Sequence, residues 1–423
     1  MRSNKTGSPS DQDTHTASLV AIPSWIILKV EPMPHNLTGF PRTTRTVRML
    51  PTRSARPARA LLPLGIALCL SLFGDLTLYA TLASHRESVG ISVAAVGIML
   101  GVNRLVRLPA NPLAGILLDR WGRRIPFVSG MALGTAAIAG FAVTHGFWPF
   151  LLTRVAWGLA WTLLNVSGMT MILDLSTPET RGRLSGLYNV WVLLGMALGP
   201  LIGGILVDRW GFRTALLICA ALAAAGLAIA AVLLPETAPS RDANRAPNTT
   251  LRLRHRFFQG LTLDRSLLIP YGLQLITQLA GEGIVLSTVG LLLERRFGEV
   301  ITAGSIRLGV STLSGLLLGG RSLLAAASGV IGGRISDRAG SRWPAIMGSL
   351  IMGMAGFILL ATTSTLSGLT LGIALGAIGG GSGLASLAAL VGDRAPSGQE
   401  GSAMGAFATA GDIGSMAGPF LAF

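Results

Sequence analysis

Eleven apolar stretches of about 20 residues recur between residue 60 and the end of the sequence, the length at which a helix crosses the hydrocarbon of a bilayer. They run near 61–83, 93–118, 126–145, 148–173, 184–207, 213–234, 267–293, 311–335, 344–363, 366–391 and 402–423. Such a chain has few options. In lipid, every backbone N–H and C=O must be satisfied inside the protein, so these stretches are helices. Only 13% of the residues are charged, about half the share usual in soluble domains. A water-soluble globule is excluded. The fold expected is all-α, a polytopic membrane protein with the bilayer as its first partner.

Charge then becomes a matter of sidedness. The formal net charge is +15, which on a soluble protein would suggest nucleic acid. Here the arginines sort by loop. Residues 1–59 read as a disordered basic tail, with Arg42, Arg45, Arg48, Arg53, Arg56 and Arg59. With that tail inside, the inside connections also carry Arg120, Arg123, Arg124, Arg181, Arg183, Arg334, Arg338, Arg342 and Arg394, and a basic linker spans 235–265. The outside loops keep only Arg86, Arg209, Arg213, Arg295, Arg296 and Arg307. This bias orients the chain with a cytoplasmic N-terminus and makes nucleic acid an unnecessary partner; the membrane expected is a bacterial inner membrane.

Cofactor chemistry finds no support. Cys69 and Cys219 lie inside apolar stretches and read as small buried hydrophobes. The histidines stand singly, so no metal site is expected. Neither Lys5 nor Lys29 follows a glycine-rich phosphate loop, so the chain shows no means of using ATP. No cofactor and no enzymatic activity are expected.

The chain also repeats itself. GILLDRWGRR at 115–124 follows the second span, and GRISDRAGSR at 333–342 follows the eighth. GLYNVWVLLGMALGP at 186–200 is answered by GAFATAGDIGSMAGP at 405–419. The offset between copies is nearly the same for both pairs. This predicts a duplicated six-helix unit related by an axis along the membrane normal: one bundle over 60–234, the linker, and a second over 266–423.

These residues resemble the major facilitator superfamily of secondary transporters. Gly115, Asp119, Arg120, Gly122, Arg123 and Arg124 are similar to that family's loop signature between spans two and three. Arg154 and Gly158 look like its fourth-span arginine motif. Gly195, Gly199, Pro200, Gly203 and Gly204 resemble the fifth-span motif of its proton-coupled drug-efflux branch. The likeness implies two bundles that rock around a central site, with the loop residues as a conformational gate. In the second copy the gate residues are Asp337, Arg338, Gly340 and Arg342, and Ser341 stands where Arg123 does. The family pattern of twelve spans leads us to expect a missing twelfth span and a truncated reading frame. The physical role expected for Asp119 is to bond the N-terminus of a facing helix and an arginine of the next span.

Charges inside the spans narrow the site, because burying them in lipid is costly. They are Asp75, Arg104, Arg107, Arg154, Glu282, Arg321 and Asp412. Asn103, Arg107 and Asn111 recur every four residues, as do Gln274, Gln278 and Glu282, so each set forms one polar stripe on an otherwise apolar helix. Counted from the inner helix ends at 1.5 Å per residue, most of these charges lie about 16–24 Å deep. Arg154 lies further out. A shared depth predicts one central cavity, where Asp75 or Glu282 exchanges a proton. The opposing reading is internal ion pairing, Asp75 with Arg154 for example. Arginines outnumber what the acids need, which makes an anionic or zwitterionic solute plausible. Trp157, Trp161, Tyr188 and Trp191 are chiefly core packing. The function expected is export of a small organic solute by proton antiport, as a monomer. The alternatives are uptake of an organic anion by symport, or a truncated paralogue that does not transport.

Overall fold

The computed structural model describes residues 57–177, 180–238, 265–303, 306–396 and 400–423. Eleven long helices occupy them. They are α1 (Pro57–Thr81), α2 (Val93–Trp121), α3 (Arg124–Val143), α4 (Phe147–Leu175), α5 (Arg181–Trp210) and α6 (Phe212–Leu233), then α7 (Arg265–Phe297), α8 (Val310–Arg338), α9 (Trp343–Thr362), α10 (Leu366–Arg394) and α11 (Glu400–Ala422). The first ten are long and apolar enough to cross a membrane. Most of the basic tail and of the 235–265 linker lies outside the described residues, but Pro57 to Arg59 already belong to α1. Proline suits a first helical turn because its missing N–H has no partner there anyway.

Several helices overrun the apolar windows that reveal them, by about a turn. The overrun collects arginines: Arg120, Arg209, Arg295, Arg296, Arg338 and Arg394 all sit in last turns. Cations there meet the negative end of the helix dipole. Hydropathy measures the thickness of the hydrocarbon, and these helices run past it. One connection among the described residues is a strand pair. Val300–Ala303 and Ile306–Gly309 pair as a short antiparallel hairpin, β1 and β2, leading into α8.

Helices α1–α6 and α7–α11 are two sets, joined chiefly where α5 packs on α8 and α2 on α11. The joint is tightest on the side away from the motif loops. There, Pro200 and Ser311 leave no room for a side chain opposite: a Cβ on Gly315 would strike the Pro200 carbonyl, and one on Gly204 the Ser311 carbonyl. Polar ties reinforce this end. The N–H of Thr312, in the first turn of α8, donates to Asp208 Oδ2 at 2.7 Å, the Ser314 hydroxyl donates to the Ala80 carbonyl at 2.9 Å, and Arg86 meets Glu294 at 3.5 Å. A carboxylate on a helix N-terminus is favourable in charge as well as in hydrogen bonding. On the motif side, by contrast, a Cβ on Gly115 would meet nothing within 4 Å.

The same N-terminal chemistry fixes the motif loop. Glu236, just past α6, accepts hydrogen bonds from the backbone N–H groups of Arg123 and Arg124 at the start of α3, and from those of Thr237 and Ala238. Burial alone would push its pKa up, but the four donors together hold it below the ordinary glutamate value of 4.5. The sign follows: this stabilisation is complete above that value and is lost as pH falls through the lowered one. Glu236→Ala should lower the thermal unfolding midpoint at neutral pH by the equivalent of about 1 kcal/mol, the worth of a helix cap, and the difference from wild type should vanish in acid.

Candidate functional site

Helix α7 changes its winding halfway. Residues Arg265–Gln278 and Leu286–Phe297 are α-helical, but Leu279–Val285 form a π-helix. Such wide turns are rare and concentrate at functional positions. Glu282 sits in the middle of this one. Its Oε1 accepts a hydrogen bond from Arg321 of α8 at 2.9 Å, and its Oε2 lies 3.7 Å from Arg104 of α2. Arg104 and Arg321 nearly coincide when the two halves of the sequence are overlaid, and one carboxylate joins them. Beside this group, Arg107 of α2 lies 3.7 Å from Asp412 of α11. Both the Arg104–Glu282 and Arg107–Asp412 contacts therefore link α2 to the second set of helices.

Asp75 and Arg154 stand apart. They bond each other, from α1 and α4. Arg154 has no exposed side-chain surface; its Nε donates to the Met99 carbonyl at 2.7 Å, and its guanidinium lies over the rings of Tyr79 and Phe141. This is the internal ion pair foreseen as the opposing reading, enclosed within one set of helices. Arg154, which counting along its helix places further out than the other charges, lies in the second turn of α4 and is buried there against α1.

Tyr79 escaped the sequence reading, which followed charge. It lies between the two groups: Arg104 and Arg154 approach its ring to 5.9 and 5.7 Å. Its hydroxyl donates to the Leu100 carbonyl at 3.0 Å and to Asn103 Oδ1 at 3.5 Å. Along the α2 stripe, Arg107 Nε and Asn111 Oδ1 are buried without a hydrogen-bond partner. On α7, Gln274 and Gln278 pack at Gly411 of α11, next to Asp412. The described residues contain no cluster of three or more metal-ligating side chains.

The loop motifs make local ties in this conformation. Arg123 donates to Asp174 at 2.9 Å and lies 4.0 Å from Asp119. Arg342 donates to Asp393 at 2.8 Å and also bonds Asp337. In both copies the arginine and the aspartate are 51 residues apart, so Arg342 is the counterpart of Arg123. The sequence alignment had matched Ser341 to Arg123, one place out of register. Arg120, Gly122, Arg124, Arg338 and Gly340 complete the two loops; Gly122 and Gly340 have positive φ, which favours glycine at both turns. In α5, Gly195, Gly199 and Gly203 lie against Leu72, Phe73 and Thr77 of α1, while Gly204 and Pro200 face α8.

A family profile described as Major Facilitator Superfamily matches residues 64–421. The chain belongs to that superfamily. It is a transporter by family, and not an enzyme. This facilitator is similar to the multidrug resistance protein MdtH of Cronobacter sakazakii, 35% identical over 127 residues, 30% of this chain and 31% of that one. It is also similar to a probable vesicular acetylcholine transporter-B of Danio rerio, 28% identical over 219 residues, 49% of this chain and 42% of the relative. The matched stretches thus span less than half the length of either protein. In fold it is similar to a bacterial homolog of the human lysosomal transporter Spinster, with a TM-score of 0.71 at 18% identity over 86% of this chain and 81% of the other.

Proposed function

We propose that this facilitator exports a small organic solute in exchange for protons, by alternating access, as a monomer in a bacterial inner membrane with its motif loops and N-terminus in the cytoplasm. Glu282 is the proton-exchanging acid. One observation carries the reading: Glu282 holds Arg321 within its own set of helices and Arg104 across the joint. Protonation removes the attraction across the joint and leaves the contact to Arg321 as an ordinary hydrogen bond. A proton thereby biases the rocking equilibrium, which is what coupling requires. Likeness to a multidrug resistance protein and the Gly195–Gly204 motif of α5 favour export.

A second reading rests on charge. Asp75, Glu282 and Asp412 are three carboxylates, whereas Arg104, Arg107, Arg154 and Arg321 are four guanidiniums. A cationic solute would compete with the proton for Glu282 and give antiport. An anionic solute would take Arg104 from Glu282, leave that carboxyl to bind a proton, and give symport. Everted vesicles from cells overproducing the protein decide between them. With a solute chosen by growth protection, antiport predicts that solute addition releases protons from acid-loaded vesicles. Solute entering with protons supports symport, and no solute-dependent proton movement overturns both.

A further inference from the structure

The bilayer-facing side of α8 opens a second feature. Its Gly315 and Gly319 face α5, meeting the carbonyls of Pro200 and Ala197. Near its other end, Ser328 reaches the Ala377 carbonyl and Gly332 packs on Ser382, both on α10. Above that crossing α8 and α10 line a cleft of about 620 Å³. Its walls are mostly aliphatic, with Leu316, Leu323, Leu324 and Ala327 on α8 and Ile373 and Ala374 beside Thr370 on α10. Leu316 and Leu323 are about half exposed, at 48% and 51%, and mark the side open to lipid. One charged residue lines the cleft, and it is Arg321, the same arginine that bonds Glu282.

We infer that this cleft and the Glu282 cluster form one site for a single-chain anionic amphiphile, a long-chain carboxylate, with its head on Arg321 and its tail in the cleft. The inference rests on the Glu282 cluster being the solute site, names its substrate class, and by that class takes the symport reading of the site rather than antiport. Three physical points carry it. A guanidinium in the wall of an acyl-lined groove is tolerated when an anion meets it. The cluster holds one arginine more than its acids neutralise, so a monoanion balances it. The volume lies in the range of about 300–1,000 Å³ typical of small-ligand sites, and apart from Arg321 and Thr370, whose hydroxyl is spent on the Leu366 carbonyl, its walls offer hydrocarbon to a tail. The head thus enters the central cavity while the tail stays beside lipid.

The test is binding of radiolabelled palmitate to the full chain in nanodiscs of phosphatidylcholine, with no proton gradient. Palmitol has the same tail and no charge; benzoate has the charge and no tail. Wild type should retain palmitate about tenfold more tightly than either. Nothing lies within 4 Å of where a side chain at Gly320 would begin, and Gly320 lines the cleft, so Gly320→Phe places a ring there. It should weaken palmitate about tenfold and leave benzoate unchanged. Leu323→Trp should do the same, and keeps the question answerable if the first variant folds poorly. Palmitol binding as well as palmitate, or palmitate binding unaffected in both variants, overturns the proposal. Palmitate binding that persists in a protein without proton coupling would sink the Glu282 coupling scheme and leave this inference standing.

Discussion

Glu282→Gln is expected to insert and fold normally, yet to lose proton-driven solute movement by about 5–150-fold, the span of a typical coupling free energy. Glutamine has the same shape, and its side-chain oxygen still accepts from Arg321, so the contact inside the second set of helices survives. What disappears is the charge facing Arg104 at 3.7 Å. At an effective dielectric near 20 that attraction is roughly 4 kcal/mol before desolvation is subtracted, and desolvation removes much of it. The remainder is of the size that shifts a rocking equilibrium. A glutamine also cannot titrate, so the gradient has nothing to act on there. Solute exchange without a gradient should persist, since the rest of the proposed solute site is unchanged. The measurement is solute flux in proteoliposomes with and without an imposed pH gradient. Wild-type stimulation by the gradient in Glu282→Gln would remove Glu282 as the coupling acid.

The helices were legible because lipid leaves so few alternatives. Runs such as 213–234 admit no reading but a span, and α6 lies at Phe212–Leu233. The paired loop phrases were equally plain, since two copies at matching positions are hard to produce by chance. Legibility failed where a regular period was assumed and then broken. Gln274, Gln278 and Glu282 read as one straight stripe at four-residue spacing, but the π-helical turn begins just after Gln278. Gln274 and Gln278 therefore pack at α11 while Glu282 reaches Arg321 and Arg104. Nothing local announces such a turn. The second loop slipped a register for a similar reason: alignment by letters matched Arg342 to Arg124, whereas its bond to Asp393 makes it the partner of Arg123. Tyr79 was passed over because it is one aromatic in an apolar run, and its position between two arginines depends on α2 and α4 arriving from elsewhere. Asp208 and Glu236 sit at helix ends where sequence shows an ordinary loop acid; the helix each one caps is distant in the chain.

Removing Arg154 alone should cause the largest loss of stability, about 3–5 kcal/mol, because it leaves Asp75 charged and unpaired in the interior. Arg154→Met also forfeits the bond to the Met99 carbonyl and the contacts over Tyr79 and Phe141. Asp75→Asn should cost less, since an asparagine oxygen still accepts from the guanidinium. The double variant Asp75→Leu with Arg154→Met should recover most of the loss, as buried pairs replaced together by apolar side chains often do. Thermal unfolding of the detergent-solubilised chain measures all three, and the coupling energy of the cycle isolates the pair. The same double variant tests function. Asp75 and Arg154 lie within one set of helices, so rocking need not part them, whereas Glu282 and Arg104 lie across the joint. A folded double variant should therefore keep gradient-driven flux near the wild-type level. If it folds and that flux is gone, the proton route includes Asp75, and the enclosed pair is more than a structural bond.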